Sequence, residues 1–159
     1  MKSNVSPITS VVVLTVIFAF NMPSRVAAED SKKCSAANAA GQWGFTISGS
    51  IPAIGPVGAV GIFTQDSSGN ITGTETRSLN GDVADETLAG TATVNADCSG
   101  TDTFQVFESG ILVRTSVVNV VYDNNRREAR ALFTSIILPD GTPLPSILTV
   151  EAHRLFPKD

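Results

Sequence analysis

The chain has 159 residues, with 11 basic and 15 acidic side chains, one histidine, two cysteines and a formal net charge of −4. That balance excludes a basic surface for nucleic-acid phosphates, and a single histidine leaves little for zinc ligation or an imidazole-based triad. Charged residues make up 16% of the chain, beside many Thr, Val, Gly and Ser, a composition that favours packed β-structure over disorder.

The N-terminus carries Lys2, an uninterrupted apolar run from Val11 to Phe20, and small residues at Val26-Ala27-Ala28. This is the tripartite pattern of a secretory signal. The apolar run has only about half of the roughly 20 residues that a spanning helix needs, and Asn21 and Pro23 end it. Residues 1–28 are therefore read as a signal peptide and 29–159 as a single domain, secreted or periplasmic and free of the membrane once the signal is removed. Without Lys2 and Arg25, the mature part keeps 9 basic and 15 acidic residues, a net charge of −6. Cys34 and Cys98 both lie in it, and an even cysteine count in an exported chain predicts a disulfide.

Along the mature part, Glu29 to Ala40 reads as a polar leader with one helical turn near Cys34. Helical periodicity is scarce after it, and short β-favourable runs follow one another between turn residues. The first predicted strand is Gln42 to Ser48, with Trp43, Phe45 and Ile47 on one face. Pro52, Gly55 and Pro56 lead into Val57 to Gln65. A turn at Asp66 to Asn70 precedes Ile71 to Asn80, and Asn80-Gly81 is a strong hairpin signal. Glu86 to Val94, Thr101 to Phe107, Ile111 to Tyr122 and Arg127 to Leu138 are the next four. A proline-rich loop, Pro139 to Pro145, leads to the eighth, Ile147 to Arg154. Eight sequential strands with mostly short connections predict an all-β, antiparallel up-and-down barrel, since closure removes exposed edges. A β-sandwich, or a barrel like that of allene oxide cyclase, is the alternative.

Gly41-Gln42-Trp43 at the start of the first strand and Arg154 late in the last resemble the G-x-W pattern of lipocalins and the wider calycin group. The resemblance implies an arginine lying over the tryptophan to close one end of the barrel. A second resemblance covers about Cys34 to Thr101. Cys34-Ser35-x-Ala37, Gly41-x-Trp43-Gly44-Phe45, Gly69-Asn70-x-x-Gly73-Thr74 and Asn95-Ala96-Asp97-Cys98-Ser99-Gly100-Thr101 look like a group of small, uncharacterised secreted bacterial proteins. It implies a β-scaffold, adds weight to the Cys34–Cys98 disulfide, and supplies no catalytic residue.

Strand parity puts Trp43, Phe45, Ile47, Ala59, Gly61, Phe63, Leu88, Gly90, Ala92, Phe104 and Val106 inside, where the small residues are expected to leave volume. The candidate ligand-binding residues are Trp43, Phe45, Phe63, Glu75, Arg77, Phe104 and Arg154. Glu75 and Arg77 share a face and are expected as a charged pair in the barrel mouth. Arg114, Glu128 and Arg130 read as a cross-strand set on the surface, and His153 as outward-facing. Asp66, Ser68 and Asn70 read as a hairpin turn in preference to a calcium loop. No G-x-S-x-G elbow is present, and no catalytic residue, cofactor or metal is expected. The runs 111–122 and 127–138 are apolar on both faces, which suggests a homo-oligomer contact. The expected role is non-enzymatic binding of a small apolar molecule. The rivals are a structural or protein-interaction module and a barrel isomerase or cyclase.

Overall fold

A computed structural model describes residues 33–123 and 126–156, so the expected signal peptide lies outside the described residues. Eight antiparallel strands, each paired with the next and the last with the first, form a closed up-and-down barrel. They are β1 (Gly41–Ile51), β2 (Gly55–Gln65), β3 (Asn70–Leu79), β4 (Asp82–Val94), β5 (Ser99–Glu108), β6 (Ile111–Asp123), β7 (Glu128–Ile137) and β8 (Ile147–Leu155). Closure runs along β1 and β8 from Gln42 opposite Leu155 to Ser50 opposite Ile147, which excludes two separate stacked sheets. A single helical turn, α1 (Ala36–Ala39), precedes β1, and Ser35 and Asn38 cap it reciprocally.

Several strands extend past their predicted ends, up to the turns themselves. Asn80 and Gly81 both take positive φ, 51° and 93°, and join Leu79 directly to Asp82 in a two-residue hairpin. β4 therefore starts four residues before Glu86. At the neighbouring hairpin of the same end β1 runs to Ile51, and Pro56 lies within β2, its carbonyl accepting from Asn80 N at 2.8 Å.

The inward glycines do not leave empty volume. Phe45 faces Gly61, Phe63 faces Gly73 and Phe104 faces Gly90 as direct cross-strand partners. A Cβ at Gly61 would run into the Phe45 ring, and one at Gly90 into Phe104. The Phe45 ring lies on Gly61, shielding backbone that would otherwise lack side-chain cover. Open volume is instead bounded by alanines such as Ala129, Ala131 and Ala152.

Two irregularities shape the mouth, the end where β1 turns into β2. Pairing shifts between β5 and β6 at Val106/Phe107 and between β6 and β7 at Val117/Val118. β7 pairs with β8 only from Glu128 to Leu132, and beyond that the proline-rich loop fills the gap. Leu144 N donates to Ile136 O at 2.8 Å and its side chain packs on the core. The loop therefore covers the mouth and not the outer surface of β6 and β7. There Val121 stays 56% and Leu132 49% exposed, each opposite a polar partner, Arg130 and Asn119.

Cys34 and Cys98 form a disulfide across 64 residues of sequence, tying the segment before α1 to the β4–β5 turn. Among the described residues no helix is long and apolar enough to cross a membrane. In the chain-entropy description a bridge of this span contributes about 4 kcal/mol. Cys34→Ala together with Cys98→Ala is expected to lower unfolding free energy by that order, measured in urea, and reductant should have no further effect on the double variant.

Candidate binding site in the barrel interior

The end of the barrel opposite the mouth is plugged. Trp43 is fully buried, stacks on Phe63 with ring centroids 6.1 Å apart, and meets Tyr122 edge-on at 5.9 Å. Its indole N–H donates to Ala39 O at 3.2 Å, which fixes α1 beneath the barrel. The Arg154 guanidinium lies 5.3 Å from the Trp43 ring centroid, and its Nη2 donates to the carbonyls of Asn38 (3.0 Å) and Ala40 (2.6 Å). One cation thus satisfies two carbonyls at the end of the helical turn and covers an aromatic face. Gln65 is buried beside them, accepting a long 3.5 Å hydrogen bond from the Tyr122 hydroxyl.

Above the plug lies an inner cavity of about 60 Å³, bordered by Phe45, Phe63, Phe104, Phe133 and Tyr122 among others. Two carboxyls, Glu75 and Asp102, face this apolar space. Nearer the mouth is a second cavity of about 210 Å³. Its wall is apolar on the side of β1, β2, β7 and β8, with Ile51, Val57, Ala59, Ile136 and Leu148, and Leu144 adds to it from the loop. Glu75, Ile47 and Phe133 border both cavities, so the two adjoin.

A charged layer stands between the cavities on the side of β3 to β6. Glu86 is 2% exposed and receives Arg77 Nε at 2.8 Å, Arg114 Nη1 at 2.8 Å and Arg114 Nη2 at 2.7 Å. Glu75, 4% exposed, accepts from Arg114 Nη2 at 2.8 Å. Arg77 also comes within 3.9 Å of Glu108 at the rim. Burial alone would raise the pKa of Glu86, but hydrogen bonds and charge from Arg114, with Arg77 adding to them, outweigh it and hold Glu86 well below the usual range. Glu75 moves the other way, raised chiefly by burial against the pull of Arg114, with the adjacent Glu86 adding to the rise. The two glutamates face each other directly across β3 and β4, so the charge on Glu86 works against ionisation of Glu75.

No protein-family model and no curated protein matches the chain. Among solved structures it is similar to a redesigned β-barrel, mFAP1, bound to DFHBI, with a TM-score of 0.52 and 17% identity over 76% of this chain and 98% of that one. At that identity the likeness establishes the shared barrel fold alone.

The structure divides the expected ligand-binding residues into three groups. Phe45, Phe63, Phe104 and Glu75 line the inner cavity, and Arg77 joins Glu75 at the mouth cavity. Trp43 and Arg154 border neither and instead form the plug. Arg114 does not belong to a surface set with Glu128 and Arg130. It faces Val106 across the bulged β5–β6 ladder and turns inward to the glutamates, while exposed Arg130 pairs with Asp123 at 3.2 Å. Arg77 and Glu75 are not an isolated pair, because Glu86 lies between Arg77 and Arg114. Asp66 uses its carboxylate on its own turn, accepting from the backbone N–H groups of Ser68 and Asn70. His153 is exposed, as its parity requires.

Asp102 escapes the sequence reading altogether. It is 9% exposed, its Oδ1 has no hydrogen-bond partner, and burial raises its pKa from 3.8 to about 7. Between those values the folded protein keeps a proton that the unfolded chain has lost. The contribution of Asp102 to stability therefore falls as pH rises from about 4 to 7 and stays lost above. Glu75 acts with the same sign. Glu86 acts with the opposite one, favouring the fold above the ordinary glutamate range and losing that contribution in stronger acid. We expect the melting temperature to fall from pH 5 to pH 8. Asp102→Asn should flatten that decline, with a relative gain at pH 8 on the order of 2 kcal/mol, read from urea titrations at the two pH values.

Proposed function

We propose that the barrel binds a small, mainly apolar molecule in its interior and does not transform it. The observation that carries this reading is the mouth cavity of about 210 Å³ with one apolar wall. An engineered apolar cavity of about 150 Å³ suffices to hold benzene, so a ring or short chain fits here. A few fixed polar groups beside an apolar wall are the usual composition of a ligand site. The redesigned barrel that holds DFHBI supports the idea that an eight-stranded cylinder of this kind has room for a ligand.

At the mouth cavity, binding without turnover is favoured by the state of the polar groups. Both oxygens of Glu86 are taken by arginines, and Arg114 is divided between two carboxylates. Groups tied to one another in this way can orient a ligand but are poorly placed to exchange protons with it. The disulfide supports an exported location, secreted or periplasmic, where such bridges persist.

Ala59 borders the mouth cavity, and Ala59→Phe places a ring in that space. Titration with a small environment-sensitive apolar fluorophore should show binding to the natural protein and at least a tenfold weaker response for Ala59→Phe. The variant's circular dichroism should be unchanged. An unresponsive natural protein would remove the proposal.

A further inference from the structure

We propose that the inner cavity is a subsite for the protonated amine head of an elongated apolar ligand, with the Asp102 carboxylate as its counter-ion. This deepens the binding role proposed above and rests on it. Asp102 projects inward from β5 between its register partners Ala92 on β4 and Val118 on β6, neither of which offers a polar side chain. Its Oδ1 is buried without a hydrogen-bond partner, at the border of a cavity with room for a small group. Tyr122 borders the same cavity and its hydroxyl is influenced by the Asp102 charge, but it gives its hydrogen bond to Gln65, and a buried carboxyl left in this condition is costly and calls for a partner.

Among the described residues, none of the interior cations borders the inner cavity. Arg114 is bound to Glu86 and Glu75, Arg77 is bound to Glu86 beside the mouth cavity with its Nη1 unpartnered, and Arg154 is bound to two backbone carbonyls over Trp43. Of the charge types a ligand head can bring, an anion would face Asp102 with no free cation beside it. A cation would find the carboxylate and, around it, the faces and edges of Phe45, Phe63, Phe104 and Tyr122. Size sets the shape of the ligand. At about 60 Å³ the inner cavity takes a head group only, whereas the adjoining mouth cavity of about 210 Å³ takes a tail. Ile47 and Phe133, which border both, provide an apolar lane past the charged layer.

The test compares hexylamine, 1-hexanol and hexanoate by isothermal titration at pH 8 against the disulfide-intact protein, Asp102→Asn and Asp102→Glu. The expected result is at least tenfold tighter binding of hexylamine than of 1-hexanol, with hexanoate weakest. Asp102→Asn should abolish the preference for the amine and leave 1-hexanol within about twofold, and Asp102→Glu should keep the preference. The ratio of amine to alcohol on the natural protein needs no variant, so a poorly folding substitution does not spoil the test. Equal binding of amine and alcohol, or a preference that survives Asp102→Asn, overturns the subsite while leaving the barrel a binding protein. Failure of all three probes overturns the binding role as well.

Discussion

The hydrogen-bonded seam between β1 and β8 is the constraint from which the rest of this molecule follows. Once Gln42 to Ser50 are paired with Ile147 to Leu155, every second residue of eight strands is committed to one enclosed space. An eight-stranded cylinder is just wide enough to be filled by side chains or to hold one small ligand. Each inward side chain must then be accommodated by its neighbours. Phe45, Phe63 and Phe104 fit because glycines face them across the ladder. Trp43 fits because α1 supplies a carbonyl for its N–H and Arg154 covers its ring. The disulfide holds that end together by anchoring the segment ahead of α1 to the β4–β5 turn.

Closure also explains why the interior charges form a connected set. A lone carboxylate or guanidinium at mid-barrel would carry the full desolvation penalty, and pairing offsets only part of it. Glu75, Glu86, Arg77 and Arg114 share the cost because three adjoining strand pairs deliver them to one level. Glu75 meets Glu86 across β3 and β4, and Arg114 arrives from β6 past the bulge. Replacing such a set with aliphatic side chains would often be neutral or stabilising. Its presence on one wall of an otherwise apolar space is therefore poorly explained as a source of stability, and the proposed binding role accounts for it better.

Much of this was legible in the sequence, and the errors have a common cause. Alternation of apolar and polar residues placed all eight strands, because a one-residue slip would turn Trp43 and Phe45 out to water. The helical turn near Cys34, the disulfide and the inward Arg154 were legible for similar local reasons. Glu86, Asp102 and Arg114 were equally within reach. Glu86 shares parity with Leu88, Asp102 with Phe104, and Arg114 with Val118 and Tyr122. They were passed over because a charged residue in a strand usually belongs to the solvent face, a prior that outweighed the parity. The Asn80-Gly81 hairpin was legible, but the strand after it starts at Asp82 and not at Glu86, because Asp82 to Asp85 are too polar to read as strand. The cavities themselves had no signature in sequence, since they depend on which alanines converge and on where the ladder bulges.

The bulges and the short β7–β8 ladder also mark where the wall is least tied by backbone hydrogen bonds. Opening a cylinder between fully paired strands would break several backbone hydrogen bonds at once, each exposing a donor and an acceptor. Between β7 and β8 that ladder stops at Leu132 opposite Thr149. From there to the rim the wall is the proline-rich loop, attached to β7 through Leu144 N to Ile136 O and the bridge between Ile137 and Pro143. Its Leu144 side chain lies over the mouth cavity. The segment that least resembles a strand in the sequence is therefore the part of the described wall that lies outside the strand ladder.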